Sequence, residues 1–485
     1  MILYMKKIIA YVLLMSLLLS AAACGNDTPS GNSGDNTTAS DSSSVTTASE
    51  EIKPNLPEAN YEGYTFTFYG TDAELKLQFC EEENGDTMND AVYKRNRAVS
   101  DRFNVEFEFV KCGDNKGIDA MNSVLAGDDN YDVIMPTGRY AFQYGMQGLA
   151  LDWNTDLPWI DLDAEWWDQD ARESFEIMKK LNVMTGDIDY GTLAATKTMY
   201  FNRAIFDELG WDYPYQTVLD GNWTFDKMCE LAVASARDLN GDTVIDLEND
   251  LLGFANTWWG MPMNILKTAG VRVCDTDANG EMILTLNSER TVEVFDKFFK
   301  MMEEDGFYIQ LKDDGTPLVN AFRDSRLTFV EFTLKTALSL RDMKDEFGII
   351  PCPKFDETME NYATGVDASC NLFVVPISVS NPERTSAIIE ALAYESWKIV
   401  TPAFFDVTLS VKFARDEESV QMLDIIRASK IYDVGYFSGD VPSSMSSIGK
   451  NLTETADHNF SSYYAANEAP ALAKIAEINK AYASN

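Results

Sequence analysis

Tyr64, Phe66 and Phe68 alternate with Thr65, Thr67 and Tyr69, the period-two pattern of a half-buried strand. Val92, Val99 and Phe103 then share one face at helical spacing, and Val105, Phe107 and Phe109 alternate again. Ile118, Met121 and Leu125 suggest a short helix, and residues 131–135 a buried strand. The order βαβαβ predicts a parallel sheet with helices on its faces. Ligands on such sheets lie beyond the carboxyl ends of the strands. Here those ends fall at Gly70-Thr71-Asp72, Cys112-Gly113 and Pro136-Thr137-Gly138-Arg139-Tyr140.

The middle of the chain is more helical. Thr224 is placed to cap a helix over 225–237, and Phe295, Phe298, Phe299 and Met302 mark another helix face. Residues 347–350 and 372–375 read as strands, and Asn381-Pro382-Glu383 opens a helix with proline in its first turn. Strands after a helical middle predict that the chain returns to complete its first sheet. No repeat of fixed period is present.

The N-terminal pattern is different. Lys6 and Lys7 precede an apolar run over 8–19, which ends in Ser20-Ala21-Ala22-Ala23 before Cys24. That run is too short for a comfortable membrane span and reads as a signal peptide, residues 1–23. A cysteine directly after such a site resembles the bacterial lipobox, in which that cysteine is lipidated. Two or more acyl chains hold a protein stably on a membrane. Residues 24–57 are then the lipidated cysteine and a Ser-, Thr-, Asn-, Asp- and Gly-rich tether. So little apolar surface cannot offset ordering entropy, and disorder is expected.

The remaining chain, of 485 residues in all, exceeds one hydrophobic core, so two lobes are expected. No later segment is apolar for long enough to span a membrane. A formal charge of −39 argues against nucleic acid or an anionic lipid surface as partner. Abundant Asp and Glu would suit a cationic ligand. Cys80, Cys112, Cys229, Cys274, Cys352 and Cys370 show no CxxC and no zinc spacing. Disulfides and buried thiols both remain open.

This order of features resembles the extracellular solute-binding proteins of bacterial ABC importers, family 1, the carbohydrate-type group. Met199-Tyr200-Phe201-Asn202-Arg203 before Phe206-Asp207-Glu208-Leu209-Gly210 resembles the family's segment after its first hinge crossing. Phe347-Gly348-Ile349-Ile350-Pro351-Cys352-Pro353-Lys354-Phe355-Asp356 is similar to its later strand and loop, and 382–397 to the following helix. The C-terminal stretch matches the family only in being helical. The resemblance implies an α/β, two-lobed, periplasmic-binding-protein-like fold of type II. By analogy, lobe 1 comprises 58–190 plus 326–376 and lobe 2 comprises 191–325 plus 377–485. It also implies a lipid-anchored monomer on the extracellular face of the membrane. Its lobes close on a solute, and ABC permease subunits recognise the closed form.

Two motifs carry candidate chemistry. Asp238, Asn240, Asp242, Val244 (through its carbonyl) and Asp246 have the spacing of an oxygen shell for Ca²⁺. Thr243 replaces the glycine of the sharp turn, and Asn249 the closing glutamate, with Asp250 one step beyond. The alternative is an acidic solvated turn; in this family a loop of this kind would be structural. Aromatic residues are the expected solute contacts, because a sugar's C–H faces lie on indole rings while its hydroxyls need fixed polar partners. Trp258-Trp259-Gly260 is the favoured pair, since adjacent rings on a strand or loop cannot both point inward; Trp166 and Trp167 are assigned to the core. Position adds Arg139 and Tyr140 at a strand end, Asp187 near the hinge, Glu331 at a second crossing, and Tyr362 and Asp367 beyond a Pro-rich loop.

The sole histidine, His458, leaves no Ser-His-Asp set and no His-rich metal cluster, and there is no P-loop. A glycosidase needs only two carboxylates about 5–9 Å apart, so hydrolysis is one alternative. A surface lipoprotein that senses or adheres without transport is another. The expectation is a non-enzymatic binding protein for a mono- or oligosaccharide.

Overall fold

Two sheets organise the chain in the computed structural model, which describes residues 52–113, 117–311, 315–410, 417–455 and 457–485. The expected signal peptide, Cys24 and the tether up to residue 51 lie outside the described residues. In the first sheet β1 (Tyr64–Gly70) is central, flanked in parallel by β2 (Val105–Lys111) and β3 (Val133–Met135). Phe66 stands opposite Phe107, and Phe68 opposite Phe109 and Val133. The predicted βαβαβ order is therefore present, but β1 is not half-buried. Residues 66–70 are all buried, because a central parallel strand is covered on both faces; the alternation survives on the edge strand β2.

The second sheet has the order β10-β4-β9-β5-β8: β4 (Lys197–Asn202), β5 (Leu252–Thr257), β8 (Phe307–Gln310), β9 (Leu327–Thr333) and β10 (Phe347–Ile350). A two-stranded hairpin, β6 (Cys274–Thr276) and β7 (Met282–Leu284), lies apart from it. β5, β8 and β9 run parallel, whereas β4 opposes β9 and β10 opposes β4. β4, β5 and β9 are buried at every position.

The helices used below are α1 (Thr87–Phe103), α2 (Gly138–Met146), α3 (Met261–Thr268), α4 (Pro382–Glu395), α5 (Val434–Phe437), α6 (Ile448–Thr453) and α7 (Phe460–Ser484). Thr224 caps the expected helix, observed over Phe225–Ser235, by accepting from Lys227 N. The helix over Ile118–Ala126 forms, yet Ile118 and Leu125 are exposed; Ala120, Met121 and Val124 make its buried face.

The return of the chain to its first sheet is half right: one of the two expected strands joins it and the other joins the second sheet. Ile134 and Val374 exchange backbone hydrogen bonds of 2.9 Å, which seats residues 371–376 beside β3. Residues 327–350, expected in lobe 1, instead supply β9 and β10 to the second sheet. α4, expected in lobe 2, packs on α1 of the first, and Thr385 Oγ1 donates to the buried Asp132 at 3.0 Å. The reason is pairing: two all-buried strands can satisfy their backbone groups only inside a sheet, and β4 offers both free edges.

The tryptophans assigned to the core are there. Trp166 and Trp167 donate their Nε1–H groups to the two carboxylate oxygens of Glu390, at 3.0 and 2.9 Å. α7 closes the first lobe at its C-terminus, where Asn485 Nδ2 donates to Gly145 O at 2.8 Å. Cys274 and Cys352 are buried thiols. Among the described residues no helix is long and apolar enough to cross a membrane.

Candidate functional site

β5 ends at Thr257, and the next two residues are Trp258 and Trp259. Trp258 N donates to Gln310 O of β8 at 3.0 Å, which fixes the turn. Gly260 follows because a Cβ there would lie 2.1 Å from Asn256 Oδ1. This close approach lets α3 start at once and leaves both indoles half-buried. Across from them, β3 leads through Pro136 into α2, whose Gly138 N donates to Cys370 O at 2.7 Å. Arg139 therefore stands in the first turn of α2, at the carboxyl end of the first sheet.

These segments enclose a cavity of about 520 Å³. Trp258, Trp259 and Met263 line it beside β5, with Thr333 and Lys335 at the end of β9. Arg139, Asp367 and Ser369 face it from the first-sheet side, and Tyr436, Ser447 and Lys450 from α5 and α6. The cavity thus lies beyond the carboxyl ends of parallel strands from both sheets.

Charge in the site is ordered. Lys197 Nζ, buried on β4, pairs with Asp367 Oδ2 at 2.9 Å and lies 4.4 Å from the Trp259 ring centre. Burial works against the Asp367 carboxylate, but Lys197 and Ser369 together hold it below the usual carboxylate range. Glu331, on the neighbouring strand, is fully buried; burial raises it, against Lys197 and an Asn264 Nδ2 hydrogen bond of 2.9 Å. Lys267 Nζ sits 3.8 Å from the Tyr436 ring centre, its pKa pushed down to about 8 by burial. Lys450 Nζ lies 3.8 Å from the Trp258 ring centre, and Arg139 Cζ 5.2 Å from that of Tyr436.

Of the residues expected to meet a solute, Trp258, Trp259, Arg139 and Asp367 come together in the cavity. Glu331 lies behind it. Tyr140 neighbours Arg139 but does not line it. Asp187 is a clamp elsewhere: it accepts from Thr401 Oγ1 and Arg427 Nη2, each at 3.0 Å. Tyr362 donates its hydroxyl to Val218 O at 2.9 Å, also away from the cavity. Of the first-sheet strand ends, only the one carrying Arg139 contributes among the described residues. Sequence reasoning missed Tyr436, although Gly435-Tyr436-Phe437-Ser438-Gly439 offers the same aromatic, glycine-bearing context as Trp258-Trp259-Gly260. Lys335 and Lys450 carry no local signal. His458 stacks on Phe299, with ring centres 4.2 Å apart, and takes no part in this site.

In the acidic turn expected to suit Ca²⁺, the side chains accept from the turn's own backbone. Asp238 accepts from Gly241 N and Thr243 N at 2.6 and 2.8 Å. Asp242 accepts from Val244 N at 2.9 Å, and Asp246 from Glu248 N and Asn249 N at 2.8 and 2.9 Å. Asp250 accepts from Leu239 N and Asp246 N at 2.8 and 2.9 Å, while Asn240 donates to Asp242. Among the described residues no group of three or more His, Cys, Asp or Glu is placed to hold a metal ion. These hydrogen bonds close the backbone turn over residues 238–250.

A cavity between the strand ends of two α/β lobes defines the class: the fold is that of the two-lobed, periplasmic-binding-protein-like proteins. Solved structures carry the same likeness. A cyclo/maltodextrin-binding protein complexed with maltotetraose is 12% identical, covers 90% of this chain and 98% of its own, and has a TM-score of 0.55. A sugar transporter protein from Rhizobium etli in an open conformation is 13% identical, with coverages of 87% and 100% and a TM-score of 0.56. An ABC substrate-binding protein from Listeria monocytogenes in complex with cycloalternan is 13% identical, with coverages of 84% and 98% and a TM-score of 0.52. At these identities the likeness establishes the fold. No protein-family model and no curated protein matches the chain.

Proposed function

We propose that this chain is the extracellular solute-binding protein of an ABC importer, capturing a mono- or oligosaccharide between its lobes. In this reading Cys24 anchors it to the membrane, and the loaded monomer delivers its cargo to the permease. The observation that carries the reading is the pair of indoles, Trp258 and Trp259, half-buried in a cavity of about 520 Å³ with charged and hydroxyl groups around them. That volume falls within the ordinary range of small-ligand sites. Stacking on each ring adds about 0.5–1.5 kcal/mol beyond burial. With several hydrogen bonds, two rings support a micromolar affinity, about −8 kcal/mol. The neighbours named above are described with maltotetraose and cycloalternan bound, which supports a saccharide as cargo.

The same site gives little to hydrolysis. Among the described residues Asp367 is the one carboxylate lining the cavity, and a glycosidase needs two, one of them able to donate a proton. Lys197 holds Asp367 ionised.

A thermal-shift screen of the folded part, residues 53–485, against mono- and oligosaccharides tests the reading. A ligand at about a hundred times its Kd stabilises the fold by about 2.7 kcal/mol. Stabilisation by one sugar class, with the sugar recovered intact, is the expected result. Recovery of a shortened sugar would mark a hydrolase, and a response only to peptides or polyamines would remove the saccharide.

A further inference from the structure

The chain carries 78 acidic and 39 basic side chains, yet the cleft is lined the other way. Arg139, Lys335 and Lys450 all face it, and none has a carboxylate partner among the described residues. The lone lining carboxylate among the described residues, Asp367, is already matched by Lys197 at 2.9 Å. Two of the three cations rest on aromatic rings instead: Lys450 on Trp258 and Arg139 on Tyr436. Lys335 is exposed. Three unmatched cations around one cavity repel each other, and a protein of this overall charge repels free anions from its surface. Such a cluster focuses the local field so that an anion is drawn to the cavity and to little else.

We propose that the saccharide held here is acidic, bearing carboxylate or sulfate groups that Arg139, Lys335 and Lys450 receive. The inference rests on the proposed function of the same cleft and names its substrate class. Arg139 offers a planar fork suited to two oxygens of one anionic group, whereas the lysines act as point charges. The site also couples charge to stacking. An anion that draws the Lys450 ammonium off Trp258 exposes that indole face to the sugar ring. A neutral sugar leaves Lys450 where it is. This reverses the expectation, drawn from overall composition, that a cationic ligand would suit the chain.

The test is calorimetric titration of the purified exported protein with three matched oligosaccharide sets of equal length: uronates, their methyl esters, and sulfated analogues. Each is run at low and high salt, with tryptophan fluorescence recorded alongside. The acid is expected to bind at least about tenfold more tightly than its ester, about 1.4 kcal/mol. The advantage shrinks as salt rises, and tryptophan emission changes more with the acid than with its ester. Lys335→Gln and Lys450→Met should each weaken the acid about tenfold more than they weaken its neutral ester. Lys335 is exposed, so that variant keeps the fold. Binding of the sulfated set alone supports the proposal and names sulfate as the group. Neutral sugars that bind as well as acids, or variants that weaken both alike, overturn it and leave saccharide capture intact. Failure of every saccharide, charged or neutral, overturns both readings.

Discussion

Replacing Asp367 by Asn removes one charge from the Lys197–Asp367 pair while preserving shape and the ability to accept from Ser369 N. Lys197 and Asp367 have side-chain exposures of 5% and 13%, so the ammonium is left nearly dry. Removing one partner of a buried pair costs about 3–5 kcal/mol. Two neighbours soften the loss: Glu331 attracts the same ammonium from the next strand, and Trp259 faces it at 4.4 Å. The expected cost is therefore at the low end, about 3 kcal/mol. Unfolding entropy is about 2.1 cal/mol/K per residue. Over the unit from Lys53 to Asn485 that is about 0.9 kcal/mol/K, so Tm should fall by about 3 °C. Because Asp367 is held below the usual carboxylate range, its contribution is complete above that range and is lost only as pH falls beneath it. The deficit should thus be flat from about pH 5 to 8. Adding Lys197→Met to the variant removes the orphan charge and should restore most of the loss. Differential scanning calorimetry of the ligand-free protein reads all three. An Asp367→Asn protein as stable as the parent, or a double variant no better than the single, would refute the reasoning.

Three other positions give separate checks. Burial raises Glu390 to about 7, although the indole N–H groups of Trp167 and Trp166 oppose it. Its folded value lies above its unfolded one, so its contribution is full below about pH 4.5 and is lost as pH rises through 7, about 3 kcal/mol in all. Glu390→Gln should flatten that slope in urea midpoints taken at pH 5 and 8, and equal slopes would count against it. Gly449 packs α6 on α3 so closely that a Cβ would fall 1.9 Å from Pro262 O. Gly449→Ala should cost about 1–3 kcal/mol and, by moving Lys450 off Trp258, shift tryptophan emission without ligand; unchanged emission would remove the link. Asp250→Ala strips the acceptor from Leu239 N and Asp246 N. A loss of about 1–3 kcal/mol is expected by chemical denaturation, and a neutral variant would show that the turn closes without it.

What was legible along the chain follows from local physics. The βαβαβ order, the Thr224 cap and the partition of Trp166 and Trp167 from Trp258 and Trp259 all rest on spacing between near neighbours. So does Arg139, which a strand end followed by glycine and a helix start places on the cavity's edge. The misplacements share another cause. Residues 347–350 and 372–375 have the same apolar strand pattern, yet one pairs with β4 and the other with β3. Pattern reports that a strand is buried, and it is silent on which edge receives it. Asp187 and Tyr362 lie away from the cavity for a related reason, since Arg427 and Val218, their partners, are distant in sequence.

The sequence by itself determined that an acidic chain would build α/β lobes around aromatic, glycine-bearing turns, because propensity, period and composition act within a few residues. Only the tertiary structure decided that Arg139, Lys335 and Lys450 converge on one cavity and that Lys197 cancels its one carboxylate. Arg139, Lys335 and Lys450 come from segments more than a hundred residues apart. Their sum at a point in space depends on distance and burial, neither of which is written in the order of residues.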